Sequence, residues 1–531
     1  MRNLQRIFTV NDQPFFILGG QVHNSSAYTA GELETAWKAL EVLHANTAEI
    51  PVYWEQVEPR EGEFDFSSVD ILLAGARARG LKLVLLWFAT WKNGTMQYAP
   101  AWVKADPERF RRVYAPSGAP IGVLSSHCPA NWEADRRAFC AFLEHLRQHD
   151  SEQRTVIAVQ IENEPGIYGS DRDYGPEAEQ AFHSPVPDEV RQALQRAGDG
   201  DVYAIWQQGG ARTDGSWPEL FGSQAGELFT AWSIARYIDR LAEVGKAILP
   251  VPMVVNVWLR EAGWRLPGLT YPSGGATTNV LDVWKWAAPH VDLIAPDIYL
   301  QDPNSYRTIC AAYGRPDNPL FIPESGREAS NALNMFYAIA DYNTLGYAVF
   351  GVESLITETG VPRPEAQSLV ESFQCVASVI PLLIRYQGTG RVHAITQQEF
   401  MTEQYLDLGD YAGLVRFFPA DSPVVTDFRH TPLDKRQRGR GLVIQTGDRE
   451  FYVVGGGYQL LLKKLHPRTI LTPAQTCELF VNRSVNYLCV EEGYFTADGE
   501  WVVTRWRNGD EVVSGIWVQP DVGAVRAVVA D

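Results

Sequence analysis

From Phe15 to Val352 short apolar runs alternate with amphipathic segments, the rhythm of a parallel sheet flanked by helices. The apolar runs predict strands over 15–22, 46–52, 81–88, 155–162, 251–258, 291–298, 319–323 and 346–352. Eight strands with helices between them predict an α/β fold, a (β/α)8 TIM barrel rather than an open sheet. Leu33, Trp37, Leu40 and Leu43 recur at helical spacing, as do Phe139, Phe142, Leu143 and Leu146. Asp65 and Ser67 stand where helix caps belong, ahead of Val69, Leu72 and Leu73. The connection after the fourth strand, 166–249, is longer than a barrel loop needs, with amphipathic pieces near 187–197 and 229–247 around the stretch QQGGARTDGSW. Long insertions on the catalytic face shape subsites or lids, and they cost little stability where they are neutral.

The texture changes after Gly388. A final barrel helix is expected over 364–385, and then short β-like runs at 392–396, 442–446, 451–454, 501–506, 516–519 and 525–529. Asn508-Gly509 reads as a hairpin turn. The chain therefore divides into a barrel over 1–387 and a C-terminal all-β sandwich-like domain over 388–531. The run Gly455-Gly456-Gly457 lacks phosphate-cradling spacing and reads as a bulge or tight bend.

At 531 residues the chain is too long for one core. Its net charge of −18 argues against nucleic acid and anionic membranes as partners. No run approaches the roughly 20 apolar residues that span a bilayer. The N-terminal stretch has no continuous apolar core of a signal peptide, and the six cysteines are scattered without a CxxC pair. A cytoplasmic protein with reduced thiols, no metal and no cofactor is expected, with homo-oligomerisation left open. Aromatic residues are plentiful, with 16 Trp, 22 Tyr and 23 Phe; they serve large cores and also sugar-stacking clefts.

The chemistry concentrates in TVIAVQIENEPG, residues 155–166. A Val/Ile/Ala run typical of a core strand ends in Asn163 and Glu164, and Pro165, which has no N–H, stops the ladder. An amide and a carboxyl are thereby presented at the carboxyl end of the strand, where barrel chemistry is done. PLFIPESG, residues 319–326, presents Glu324 at the end of the seventh strand. Glycoside hydrolysis needs two such carboxyls, one to protonate the leaving oxygen and one to attack or stabilise the anomeric carbon. A carboxyl spacing of about 5–5.5 Å would give retention. Structural ion pairing at the barrel rim is the plainer alternative for either Glu.

These stretches resemble the retaining glycosidases built on (β/α)8 barrels, and within them glycoside hydrolase family 35, the β-galactosidases. FFILGGQVHNSS resembles that family's first strand, PVYWEQVEPREGEFDF its second, VQIENEPG its acid/base strand and FIPESG its nucleophile strand. The resemblance implies Glu164 as general acid/base, Asn163 as the amide that holds the sugar 2-OH, and Glu324 as nucleophile. Tyr299, closing APDIY, falls where a ring residue hydrogen-bonds the nucleophile. Pro165 departs from the family's usual Tyr, and Phe88-Ala89-Thr90-Trp91 replaces its Asn-Ala-Glu-Trp, so Lys92 and Asn93 are expected to take over sugar recognition in a divergent branch.

Trp54, Trp87, Trp91 and Trp258 lie near strand ends, as core or as stacking platform; Trp87 and Trp258 are the candidates for the cleft. His23 either reaches a hydroxyl or braces the pocket floor, and Glu353 could line the site. The expected activity is that of a retaining exo-β-glycosidase, a β-galactosidase acting on an oligosaccharide or other glycoside. The alternatives are a β-glucosidase, β-xylosidase or endo-glycanase of the same clan, a non-catalytic carbohydrate-binding barrel, and a metal-dependent barrel hydrolase.

Overall fold

The computed structural model describes residues 7–417, 438–464, 485–496, 498–513 and 515–530. Strands β1 (Ile17–Gln21), β2 (Thr47–Tyr53), β3 (Lys82–Lys92), β4 (Val156–Asn163), β5 (Met253–Trp258), β6 (Leu293–Asp297), β7 (320–325) and β8 (Gly346–Phe350) form the barrel. Seven of them hydrogen-bond in the order β6-β5-β4-β3-β2-β1-β8, every pair parallel. The segment β7 closes the ring through bridges from Ile298 to Ser325 and from Ile322 to Tyr347. Pro323 breaks its ladder, since a proline nitrogen has no hydrogen to donate.

The helices follow the apolar periodicity. α1 (Ala30–Val42) buries Leu33, Trp37 and Leu40, and the Thr29 side chain caps it by accepting from the Glu32 N–H at 3.3 Å. α2 is Ser67–Ala78, and Asp65, two residues ahead of it, accepts from the Ser67 N–H. α3 (Pro129–Asp150) starts on proline, whose fixed φ suits a first helical position, and buries Phe139, Phe142, Leu143 and Leu146.

The long fourth connection divides in two. Its last part, α4 (Ala225–Ile248), is the barrel's own helix: a side chain at Gly245 would stand 2.9 Å from Phe139 of α3. What is added lies before it, as short helices around a small aromatic core in which Trp217 and Phe182 pack against Phe229. The tryptophans of this segment are accordingly core residues.

α5 (Ala329–Ala340) follows β7, and after β8 come α6 (Gln367–Ala377) and α7 (Ile380–Tyr386). The last two replace the single helix expected over 364–385; they meet at a 63° bend. Among the described residues no single helix is long and apolar enough to cross a membrane.

The C-terminal strands are β9 (Val392–Thr396), β10 (Glu403–Leu408), β11 (Tyr411–Phe417), β12 (Arg440–Gly447), β13 (Glu450–Gly456), β14 (Tyr458–Lys464), β15 (Tyr487–Phe495), β16 (Trp501–Trp506), β17 (Ile516–Val518) and β18 (Ala524–Val529). They make a six-stranded sheet, β9-β12-β13-β18-β15-β16, and a four-stranded one, β10-β11-β14-β17. Alternation sends Val443, Phe451 and Val453 into the space between the sheets and Leu442, Ile444, Tyr452 and Val454 toward the barrel. The larger sheet is thus covered on both faces. Arg440 ties it to α6, donating to Ser372 Oγ at 2.8 Å and Glu371 Oε2 at 2.6 Å. The glycine run is a tight bend, with Gly457 at φ 75° between β13 and β14. Asn508-Gly509 is not a hairpin turn: Asn508 caps a short helix, Gly509–Val512, with Glu511 closing the capping box. Cys477 lies outside the described residues; Cys128, Cys140, Cys310, Cys375 and Cys489 are free thiols.

Candidate active site

The carboxyl ends of the barrel strands surround a pocket of about 320 Å³ lined by Asn24, Lys92, Asn93, Glu164, Trp258, Leu259, Asp297, Tyr299, Leu300, Glu324 and Phe350. Glu164 and Glu324, from β4 and β7, therefore share one cavity. Their surroundings differ.

Both oxygens of Glu324 accept hydrogen bonds, Oε1 from Gln21 Nε2 at 2.8 Å and Oε2 from the Tyr299 hydroxyl at 2.7 Å. Tyr299 is held protonated by burial of its hydroxyl and by the Glu324 charge beside it. Glu324 is thus held as an acceptor at both oxygens, the arrangement that suits a carboxylate facing an electrophile.

Glu164 is 8% exposed. Burial first, and then the Glu324 charge, push its carboxyl up to about 7, while Lys92 and a hydrogen bond with Asp297 pull the other way. Asn93 Nδ2 donates to its Oε2 at 2.5 Å, and its own backbone N–H donates to Asn256 Oδ1 at 2.7 Å. Its backbone is left-handed, φ 46°, as is that of Glu162, φ 62°. Two non-glycine residues in this region around one asparagine break the strand's alternation, a local strain that sets where each side chain goes. Glu164 enters the pocket. Glu162 turns the other way, its Oε2 accepting from the Trp91 N–H at 2.7 Å, and burial together with Asp135 holds its carboxyl well above the usual range.

Asn163 lies beneath this bend, 1% exposed, and does not line the pocket. Its Oδ1 accepts from Asn256 Nδ2 at 3.2 Å and Gln160 Nε2 at 3.3 Å. In this structure it braces the strand end from below, where a sugar hydroxyl is the partner expected of it. Lys92 does face the pocket, 5% exposed, with its ammonium donating to Asn93 Oδ1 and resting 5.2 Å from the Phe88 ring centroid.

Trp87 is not a cleft residue. It is fully buried, stacks on Phe142 of α3 at 5.4 Å, and donates its indole N–H to Asp135 at 2.9 Å. Trp54 and Trp91 are buried likewise. Trp258 is the one of the four that lines the pocket, its ring stacked on that of Tyr168, which is 41% exposed. His23 stands outside the lining: its ring meets Phe350 edge-on at 5.3 Å, its Nε2 is 2.9 Å from Ser354 Oγ, and its backbone N–H donates to Glu353. Both His23 and Glu353 hold the β1 and β8 loops together beside the pocket.

Asp297, Asn256, Gln21 and Asn24 were not among the expected site residues. Asn256 stands inside an otherwise apolar core strand, and Gln21 and Asp297 each close one; that pattern is itself a signal of a functional group. Glu49, on β2, is fully buried with no hydrogen-bond donor meeting either oxygen among the described residues. Burial, and the Glu324 charge after it, hold it well above the usual carboxylate range.

A parallel (β/α)8 barrel with a proton-retaining carboxyl on β4 and a doubly hydrogen-bonded one on β7 is an architecture for acid/base and nucleophilic chemistry on one bond. Comparison with known proteins agrees on the clan and corrects the family. Residues 28–212 match the model of glycoside hydrolase family 42, described as Beta-galactosidase, and not the family 35 that the motifs resemble. Residues 369–519 match a domain of unknown function, DUF5597. A curated beta-galactosidase of Xanthomonas manihotis is 30% identical over 182 residues, 32% of this chain and 26% of that protein. The chain thus spans about a quarter of the length of that relative. Among solved structures, the catalytic domain of beta-amylase from Paenibacillus polymyxa superposes with TM-score 0.50 at 14% identity, covering 67% of this chain and 97% of that one, a likeness of fold. A beta-galactosidase from Bacillus circulans sp. alkalophilus gives TM-score 0.49 at 15% identity, covering 70% of this chain and 57% of that one.

Proposed function

We propose that the protein is a retaining β-galactosidase that releases terminal galactose from oligosaccharides. The observation that carries this reading is the pair Glu164 and Glu324 in one pocket, the first with its proton retained to about pH 7 and the second bonded at both oxygens. In the first step Glu164 gives its proton to the glycosidic oxygen as that C–O bond breaks, and Glu324 forms a bond to the anomeric carbon. In the second, Glu164 takes a proton from water, the water oxygen bonds to that carbon, and Glu324 leaves. The match of residues 28–212, which include Glu164 and Lys92, to family 42 supports galactose as the sugar. A cavity of about 320 Å³ is at the small end of ligand sites, in keeping with one sugar ring and an end-on substrate.

The test is a panel of nitrophenyl β-glycosides with Glu324→Ala beside the wild type. The β-galactoside should turn over fastest, and azide should restore the variant's turnover with product of inverted configuration. Preference for the glucoside or xyloside would move the assignment to another glycosidase of the clan. No turnover of any glycoside would leave a carbohydrate-binding barrel.

A further inference from the structure

The pocket holds a third carboxyl. Asp297, the last residue of β6, is 3% exposed and lines the cavity with Glu164 and Glu324. Its Oδ2 accepts from Asn256 Nδ2 at 2.8 Å. The same Asn256 amide is fixed at its other atoms, accepting from the Glu164 N–H and donating to Asn163. Asp297 therefore has a defined orientation. Its other oxygen, Oδ1, meets no donor among the described residues, and Asn256, hydrogen-bonded to both residues, ties its carboxyl to Glu164 at the wall of the same pocket.

Two buried carboxyl groups in one pocket repel unless a proton lies between them. We infer that Asp297 is a positioning residue that acts through Glu164: as a neutral acid it donates a hydrogen bond to Glu164 whenever Glu164 is without its own proton. An acceptor-only Oδ1 is left without a donor, whereas a protonated carboxyl has a hydrogen to give to a neighbouring carboxylate. The inference rests on the glycosidase reading for its catalytic consequence, though not for the proton itself.

The charged groups that face this pair are consistent with it. Lys92, from the end of β3, lowers the proton affinity of both; Glu324, from β7, raises it for both; Glu49, from β2, faces Glu324; Glu162 faces Asp135 on the far side of the strand. Burial and the charges of Glu324 and Glu164 hold Asp297 well above the usual carboxylate range. Through the reaction the Asp297 proton stays where it is. Glu164 loses its proton to the leaving group, is steadied as an anion by Asp297 and Asn93, and regains one from water.

The test uses Asp297→Asn and Asp297→Ala, with pH profiles of kcat/KM on a galactoside with a poor leaving group. Asn keeps a neutral donor, so its basic limb should stay within about half a pH unit of the wild type. Ala removes the donor, so its limb should rise, and turnover of an activated aryl galactoside, limited by the base step, should fall by roughly 10–100-fold, the value of a hydrogen bond to a charged group. A limb lowered by a unit or more in Asp297→Asn would overturn the inference, because removal of an anion next to Glu164 shifts it that way by about 1–3 units. Infrared difference spectra at neutral pH give a readout without turnover. A protonated-carboxyl band lost in Asp297→Asn supports the neutral acid, and its absence in the wild type refutes it. An inactive wild type would instead fail the glycosidase reading and leave the infrared result to decide the proton.

Discussion

The Tyr299 hydroxyl donates to Glu324 at 2.7 Å from a residue that is itself 44% exposed. The hydroxyl is anchored on the carboxylate while the ring forms part of the pocket wall. Gln21 holds the other oxygen, so Glu324 presents a fixed edge to the bond it attacks. Tyr299→Phe keeps the wall and removes one of the two donors. Its kcat/KM for galactosides should fall by roughly 10–100-fold, the cost of losing a hydrogen bond to a charge. Steady-state kinetics with the folded variant measures it, and an unchanged kcat/KM would mean the bond contributes nothing to attack.

Glu164, pushed up to about 7 by burial and by Glu324, must be protonated to act as an acid. For substrates with poor leaving groups, kcat/KM should decline above about pH 7. Lys92 opposes the upward shift, and at 5% exposure its field is little screened by salt. Lys92→Met removes the charge at similar volume, so the declining limb should move to higher pH. A limb that stayed in place or moved down would show that Lys92 does not act on Glu164.

The barrel was legible because its strands are buried on both faces, and unbroken apolar runs such as 155–162 register in sequence whatever the side chains touch. Glu164 and Glu324 were legible because each closes such a run. The burial of Asn163 beneath the strand end is not legible, because the two left-handed residues beside it, Glu162 and Glu164, carry no glycine to announce them. Asp297 is not legible from APDIY alone, because its significance depends on Asn256 and Glu164, which come from other strands. The split of 364–385 into two helices at a 63° bend is a packing result that helical periodicity does not encode.

Strand parity also decides the fate of Trp87. Phe88 faces inward toward Lys92 and Tyr98, so Trp87 must face the helices. Trp87→Phe keeps most of the packing but removes the 2.9 Å hydrogen bond to the buried Asp135. The expected loss is about 1–3 kcal/mol of stability, with KM for galactosides unchanged. Urea unfolding and KM measured together check it; a raised KM with unchanged stability would return Trp87 to the cleft.

Stability should itself depend on pH in a direction set by the buried acids. Glu49, Glu162, Glu164 and Asp297 all have folded proton affinities raised above the unfolded chain's. In the folded state each keeps a proton that the unfolded chain has released above its own value, 4.5 for Glu. Between those two values the native state binds more protons, so stability is greatest at the acid side of the window and falls as pH rises. Thermal midpoints should drop from about pH 5 to 7.5, where ordinary paired carboxylates would give the opposite slope. Glu49 isolates the effect, since no donor meets its oxygens and no substrate-facing role is assigned to it. Glu49→Gln is nearly isosteric and does not titrate, so the variant should gain stability relative to the wild type as pH rises, with little difference near pH 5. A gap between the two proteins that stayed constant across that range would mean that Glu49 is not holding a proton in the folded barrel.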